Sequence, residues 1–192
     1  MLKKRIVLAS SSPRRVSLLK SLGYKFSTVP HEIEEENFYN SDSPVEFVQK
    51  VAFLKADNIA KRVDNALIIS ADTIVFHNKR IFGKPKDVQD AKRMLSMLSD
   101  SEHEVISGVC VMDVPTKEKL LRFDRTRIKM RIISEEEIDI YISSGEPLDK
   151  AGSYAIQGEG SKFVEKIEGS YSNAMGLPLE IVQECLTFLG KV

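Results

Sequence analysis

Apolar runs of strand length alternate along the chain with helical patterns: Arg5–Ala9 precedes Pro13–Leu22, Lys25–Val29 precedes Pro44–Ile59, and Ala66–Ala71 precedes Asp87–Leu98. Such alternation predicts an α/β fold. Ser12 reads as an N-cap and Pro13 as a first helical residue. Ser43-Pro44-Val45-Glu46 and Ser134-Glu135-Glu136-Glu137 read as capping boxes, starting helices near Pro44–Arg62 and Glu135–Ser143. Glu104–Asp113 and Lys119–Arg131 read as long strands joined through Val114-Pro115-Thr116, and His77-Asn78-Lys79 as the turn of a short hairpin. Long antiparallel strands beside βα units imply a mixed sheet, and Pro178–Phe188 reads as a closing helix. Five of the ten glycines fall between Gly152 and Gly176. That segment is either a set of tight turns linking short strands or a backbone built to approach a ligand.

Size and charge narrow the class. The 192 residues can bury a substantial core and suit one large domain or two tightly joined lobes; we read them as one unit. Lys plus Arg and Asp plus Glu each total 28, so no basic excess exists for tracking a nucleic-acid backbone. A small anion held by a local cluster is compatible with that balance. Charge-free runs such as Ser170–Leu179 fall well short of the roughly 20 apolar residues of a membrane helix. Basic residues at both ends of a very short apolar core in Met1–Arg15 do not fit a secretory signal, so a cytoplasmic protein without a membrane partner is expected. Cys110 and Cys185, each flanked by apolar residues, read as buried free thiols.

Candidate chemistry begins at Leu8-Ala9-Ser10-Ser11-Ser12-Pro13-Arg14-Arg15, where an apolar strand runs into hydroxyls, a helix start and two guanidinium groups. Free amides of a first helical turn together with arginine forks make an anion grip. The alternative is two solvated arginines paired with nearby carboxylates. Asp72 follows the apolar run Leu67-Ile68-Ile69 and is expected at the carboxyl end of a buried strand, the edge at which open α/β sheets bind ligands. A carboxylate there can hold a divalent cation or take a proton from water. Glu34 and Glu35 lie in an acidic stretch that either is solvated surface or supplies a second metal oxygen. Val48, Ala52, Lys55 and Ile59 share one helical stripe, so Lys55 either snorkels from the apolar face or aims its ammonium into a cleft. Lys84, in the stiff Gly83-Lys84-Pro85 segment, is placed to reach a ligand. His31, His77 and His103 are too scattered to suggest a metal pair and read as surface residues. No G-x-x-x-x-G-K-[ST] loop and no Gly-x-Ser-x-Gly elbow is present, and Gly158-Glu159-Gly160 lacks the rest of a dinucleotide fingerprint.

Leu8-Ala9-Ser10-x-Ser12-Pro13-Arg14-Arg15, Ala71-Asp72-Thr73, Gly83-Lys84-Pro85, Ser144-Gly145-Glu146-Pro147-Leu148-Asp149-Lys150-Ala151-Gly152 and Gly176-Leu177-Pro178-Leu179 together resemble the Maf family. These are nucleoside triphosphate pyrophosphatases, also called septum formation proteins. The resemblance implies an elongated mixed β-sheet flanked by helices, two lobes with a central cleft, and a homodimer. It further implies hydrolysis of a nucleoside triphosphate to monophosphate and pyrophosphate with Mg²⁺ or Mn²⁺. By the same resemblance Asp72 and Glu35 are the catalytic and metal carboxylates, and Ser10, Arg14, Arg15, Lys55 and Lys84 contact the triphosphate. The loop Lys150–Gly158 resembles the branch acting on dTTP and UTP, with Gln157 and Thr73 near the base or the reacting phosphate. Ala155 stands where the family commonly has glycine, and Ala174-Met175 replaces a more usual valine pair. The contrasting expectation is a nucleotide-binding regulator of cell division that leaves its ligand intact; a γ-phosphatase would release orthophosphate instead.

Overall fold

In the computed structural model, which describes residues 4–33 and 43–189, β1 (Arg5–Leu8) buries Ile6, Val7 and Leu8 in succession. A strand buried on both faces reads as a continuous apolar run, and the parallel neighbours of β1 account for this one. It pairs in parallel with β2 (Phe26–Thr28) and with β3 (Ala66–His77), Leu8 opposite Thr28 and Ile69. Helices α1 (Pro13–Ser21) and α2 (Pro44–Ala60) intervene between these strands. The remaining elements are β4 (Arg80–Phe82), α3 (Val88–Leu98), β5 (Glu102–Asp113), β6 (Lys119–Met130), α4 (Glu135–Ser143), β7 (Val164–Glu168), α5 (Tyr171–Ala174) and α6 (Leu179–Phe188). Among the described residues, seven strands form one mixed sheet in the order β2-β1-β3-β5-β6-β7, with β4 paired antiparallel to β3 and β7 antiparallel to β6. This is the mixed α/β sheet flanked by helices that the alternation predicts.

Local chemistry sets the element ends. Ser12, Ser43, Asp87 and Ser134 each cap a helix through a side-chain oxygen, and Ser134 with Glu137 closes a complete capping box on α4. Asn78 and Lys79 both adopt positive φ, 48° and 61°, which matches the twist of a two-residue hairpin between β3 and β4.

One expected boundary is corrected. β3 does not stop at Ala71 but runs on to His77, so Asp72 lies within the strand rather than at its end. The β-prone Ile74-Val75-Phe76 carries the strand past the polar Asp72-Thr73 step, and Val75 and Phe76 pair with Phe82 and Ile81 of β4. The glycine-rich stretch also differs from a series of short strands: Glu146–Asp149, Ala151–Ser153 and Glu159–Phe163 are 3₁₀ turns, and β7 is the strand of that region.

The residues group into two compact units: Met1–Asp72 with Ser107–Asp124 and Gly176–Val192, and Thr73–Ile106 with Arg125–Met175. In the first, Val7, Ala52, Ala56, Ile59, Ile68 and Cys110 belong to a buried cluster between α2 and the sheet. In the second, Leu95, Val105, Ile128, Tyr141, Tyr154 and Phe163 belong to another. Cys110 and Cys185 are free and buried, as expected. The histidine expectation fails at two positions, because His77 and His103 are buried, 9% and 3% exposed. No helix among the described residues is long and apolar enough to cross a membrane.

Candidate functional site

In the first unit, β1 delivers the chain to a sharp change of direction. The amide of Ala9 still donates to Ile69 of β3 at 2.8 Å, after which the Ser10 hydroxyl accepts from the amide of Ser12 at 3.1 Å. Ser12 then caps α1, with Pro13 at its first position. Arg14 and Arg15 therefore lie in the first turn, beside amides that no helical carbonyl satisfies. The first turn of α1 holds no acidic residue, whereas those of α2, α3, α4 and α6 hold one to three. Positive side chains at the positive end of a helix are intrinsically unfavourable there, a cost that anionic partners offset. Arg15 is oriented by its own Nε, which donates to the carbonyl of Gly176 at 2.8 Å.

The buried charge of this unit comes from α2 and β3. Alternation along β3 places Ile68, Ser70 and Asp72 on one face. The Ser70 hydroxyl donates to the Ala52 carbonyl of α2 at 2.6 Å, and the Lys55 ammonium, one turn on, donates to Asp72 Oδ1 at 2.7 Å. Lys55 is 1% exposed and Asp72 5%. Lys55 therefore does not snorkel; its head group is buried with its stem. The depth of α2 follows from Gly108 on β5, where a Cβ would lie 2.4 Å from the backbone carbonyl of Val48. A hydrogen in that place lets the helix backbone settle directly on the strand. Burying a lysine and a carboxylate costs solvation that a pair of apolar residues would not, so the pair is weak as a stabilising device.

The second unit carries the remaining described candidates. Thr73 follows Asp72 along β3 and is half-buried, while Lys84 is exposed. The carbonyl of Gly83 accepts from the amide of Gly152 at 3.0 Å, tying the Gly83-Lys84-Pro85 segment to the loop that follows Lys150. In that loop residues 152–156 are buried and Gln157, Gly158 and Glu159 are exposed. Glu34 and Glu35 lie outside the described residues. Among the described residues no group of three or more His, Cys, Asp or Glu side chains could hold a metal ion.

Residues with no assigned role in the sequence reading anchor the loop. Tyr154 is buried with its hydroxyl 2.6 Å from His103 Nε2, the two rings meeting edge to face. Burial, and then the charge of His77, pushes the His103 pKa down to about 3, so this imidazole is neutral; its Nδ1 has no partner. Tyr141, fully buried, accepts from the amide of Ala155 at 3.3 Å and donates to Glu146 Oε1 at 3.0 Å. Burial, and then the nearby Glu146 charge, pushes its phenol above the ordinary tyrosine value. Strand alternation was the available signal for His103, which shares a face of β5 with Val105.

Residues 5–189 match the family model described as Maf-like protein. A protein of Dictyoglomus thermophilum named dTTP/UTP pyrophosphatase is 49% identical over 189 residues, covering 98% of each chain. One of the same name from Ruminiclostridium cellulolyticum is 46% identical over 188 residues, 98% of this chain and 97% of the other. Another, from Bacillus cytotoxicus, is 45% identical over 187 residues, 96% of each.

Proposed function

The chain belongs to the Maf family, and from that premise we propose that it is a nucleoside triphosphate pyrophosphatase acting on dTTP and UTP. Water attacks the α-phosphorus, a new P–O bond forms, the bond from that phosphorus to the α–β bridging oxygen breaks, and pyrophosphate leaves. The nucleoside monophosphate remains.

The observation that carries the reading is the buried Lys55–Asp72 pair at 2.7 Å. An ion pair that contributes little to folding is reasonably kept for chemistry. Asp72 accepts the proton of the attacking water, and Lys55 fixes the direction of its carboxylate by holding Oδ1. A positioned base of this kind typically contributes on the order of 10²–10⁴ in rate. Ser10, Arg14, Arg15 and the first-turn amides of α1 bind phosphate oxygens, and Lys84 is a triphosphate contact by the family resemblance alone. Arg15 is oriented through its Nε on the Gly176 carbonyl, and a planar guanidinium is the side chain best matched to phosphate oxygens.

A divalent cation belongs in this scheme. Asp72 would offer hard oxygen donors held by a strand, and the substrate's phosphates would supply others of the kind Mg²⁺ and Mn²⁺ accept; Glu35 joins them by the family resemblance alone, since it lies outside the described residues. When bound, the ion neutralises charge on the phosphates. Base choice falls to the loop after Lys150. The Gln157 amide oxygen can accept the N3–H of thymine or uracil while its NH₂ donates to a ring carbonyl, a pairing that cytosine does not offer in the same sense.

Incubation with dTTP, UTP or CTP and Mg²⁺, with products identified, tests the proposal. Pyrophosphate and monophosphate from dTTP and UTP support it. Orthophosphate and diphosphate would identify a γ-phosphatase, and tight binding without turnover would identify a regulator.

A further inference from the structure

Within the second unit, the loop bearing Gln157 is held from below on both sides of its exposed tip. Before the tip, the Ala155 amide donates to the Tyr141 hydroxyl at 3.3 Å. After it, the amides of Glu159 and Gly160 donate to Glu146 Oε2 and Oε1 at 3.0 and 3.3 Å. Tyr141 joins the two anchors by donating to Glu146 Oε1 at 3.0 Å. Three donors thus converge on one carboxylate, which has only acceptors to offer. The glycines fit this arrangement closely. A Cβ on Gly158 would lie 2.7 Å from Glu146 Oε2, and one on Gly160 would lie 2.5 Å from the Tyr141 hydroxyl. Gly158-Glu159-Gly160, which is no dinucleotide fingerprint, is therefore a seat for a carboxylate. The Lys150 ammonium, at the start of the loop, donates to the Glu146 carbonyl at 2.7 Å.

We propose that Glu146 is a positioning residue for base selection: its carboxylate, braced by Tyr141, grips the amides of Glu159 and Gly160 and so fixes Gln157 at the loop tip. The proposal rests on the reading of Gln157 as the base contact. Glu146 does not itself touch the nucleotide. Its influence passes through two backbone amides, so it acts on which base is accepted and how tightly, while the phosphate chemistry elsewhere is left alone. Ala155 is one of the tethered positions, so the bracing also sets where its methyl stands.

The test is pyrophosphate release from dTTP, UTP and CTP by the full chain, comparing wild type with Glu146→Gln, Tyr141→Phe, Gln157→Ala and the Glu146→Gln/Gln157→Ala double variant. Glutamine turns an NH₂ toward donors that already need an acceptor, so one tether is lost without loss of bulk. KM for dTTP and UTP is expected to rise roughly three- to tenfold, the size of one or two lost hydrogen bonds, with kcat much less affected. The preference over CTP should contract by the same factor. Tyr141→Phe keeps the ring against Phe163 and removes only the brace, so a smaller change of the same kind is expected even where Glu146→Gln is too unstable to assay. The double variant should discriminate no worse than Gln157→Ala alone. Unchanged base preference in both Glu146→Gln and Tyr141→Phe, additive losses in the double variant, or an equal fall in kcat for every nucleotide would each overturn the positioning role. A wild type that releases no pyrophosphate from any of the three would overturn the activity itself, which is a separate result.

Discussion

The Lys55–Asp72 pair is buried and the Tyr141–Glu146 brace only partly so, and the two polar devices are built in opposite ways. The first joins a helix to a strand, elements already fixed by the apolar cluster of Ala52, Ala56, Ile59 and Ile68, so packing holds the charges in place. The second ties the last turn of α4 and the 3₁₀ turn Glu146–Asp149 to the backbone that follows Gln157, and there polar groups make the tie. A group that must meet a reacting atom profits from a stiff scaffold, whereas a loop that must follow the outline of a base profits from a few adjustable tethers. Disturbing the first should therefore affect the rate, and the stability where a charge is left unpaired, whereas disturbing the second should affect recognition.

The sharpest way to break that contrast is Asp72→Asn. A shape-preserving loss of the proton acceptor should lower turnover by about 10²–10⁴, read as pyrophosphate release, with far-ultraviolet circular dichroism unchanged. Full activity in this variant would remove Asp72 from the chemistry. Next in size is Lys55→Met, which leaves a buried carboxylate uncompensated and should cost about 3–5 kcal/mol in urea unfolding besides most of the activity. Gly108→Ala should follow, at about 1–3 kcal/mol, because a methyl must displace the backbone of α2. Its activity should fall as Lys55 is lifted from Asp72, while the preference among bases stays constant.

Smallest per step is an acid effect confined to the second unit. His103 has a folded-state value of about 3 against an ordinary 6.5, so between those pH values the unfolded chain binds a proton that the folded chain refuses. Its contribution makes stability fall as pH drops below 6.5 and leaves it flat above, at about 1.4 kcal/mol per pH unit. Thermal unfolding of His103→Gln against wild type from pH 7 to 4 isolates this term, since the carboxylates are common to both. Parallel curves would mean that His103 is protonated in the fold.

How far the molecule could be read beforehand depends on whether the determining contacts are local. Ser12-Pro13 and Ser134 with Glu137 act within one helical turn, and both helix starts lie where the residues put them. Asp72 was legible as a candidate but not as a mid-strand residue, because the extension of β3 depends on pairing with β4 around a turn several residues further on. Lys55 posed the right question by standing on an apolar stripe. Its answer needed the sheet beneath, which no helical pattern contains. The contacts of Glu146, five residues back to Tyr141 and fourteen on to Gly160, follow no helical or strand period, so the residue carried no signal beyond its place in a motif.

Gly108 shows that an absent group can matter as much as a present one. A methyl at that point on β5 would act as a spacer beneath α2, and the ammonium at position 55 would be raised with the whole rod. The electrostatics of the interior are thus tuned mechanically, by clearance, from a residue that bears no charge and meets no reactant. Surveys of this enzyme that score only side chains able to donate, accept or ionise would pass over it.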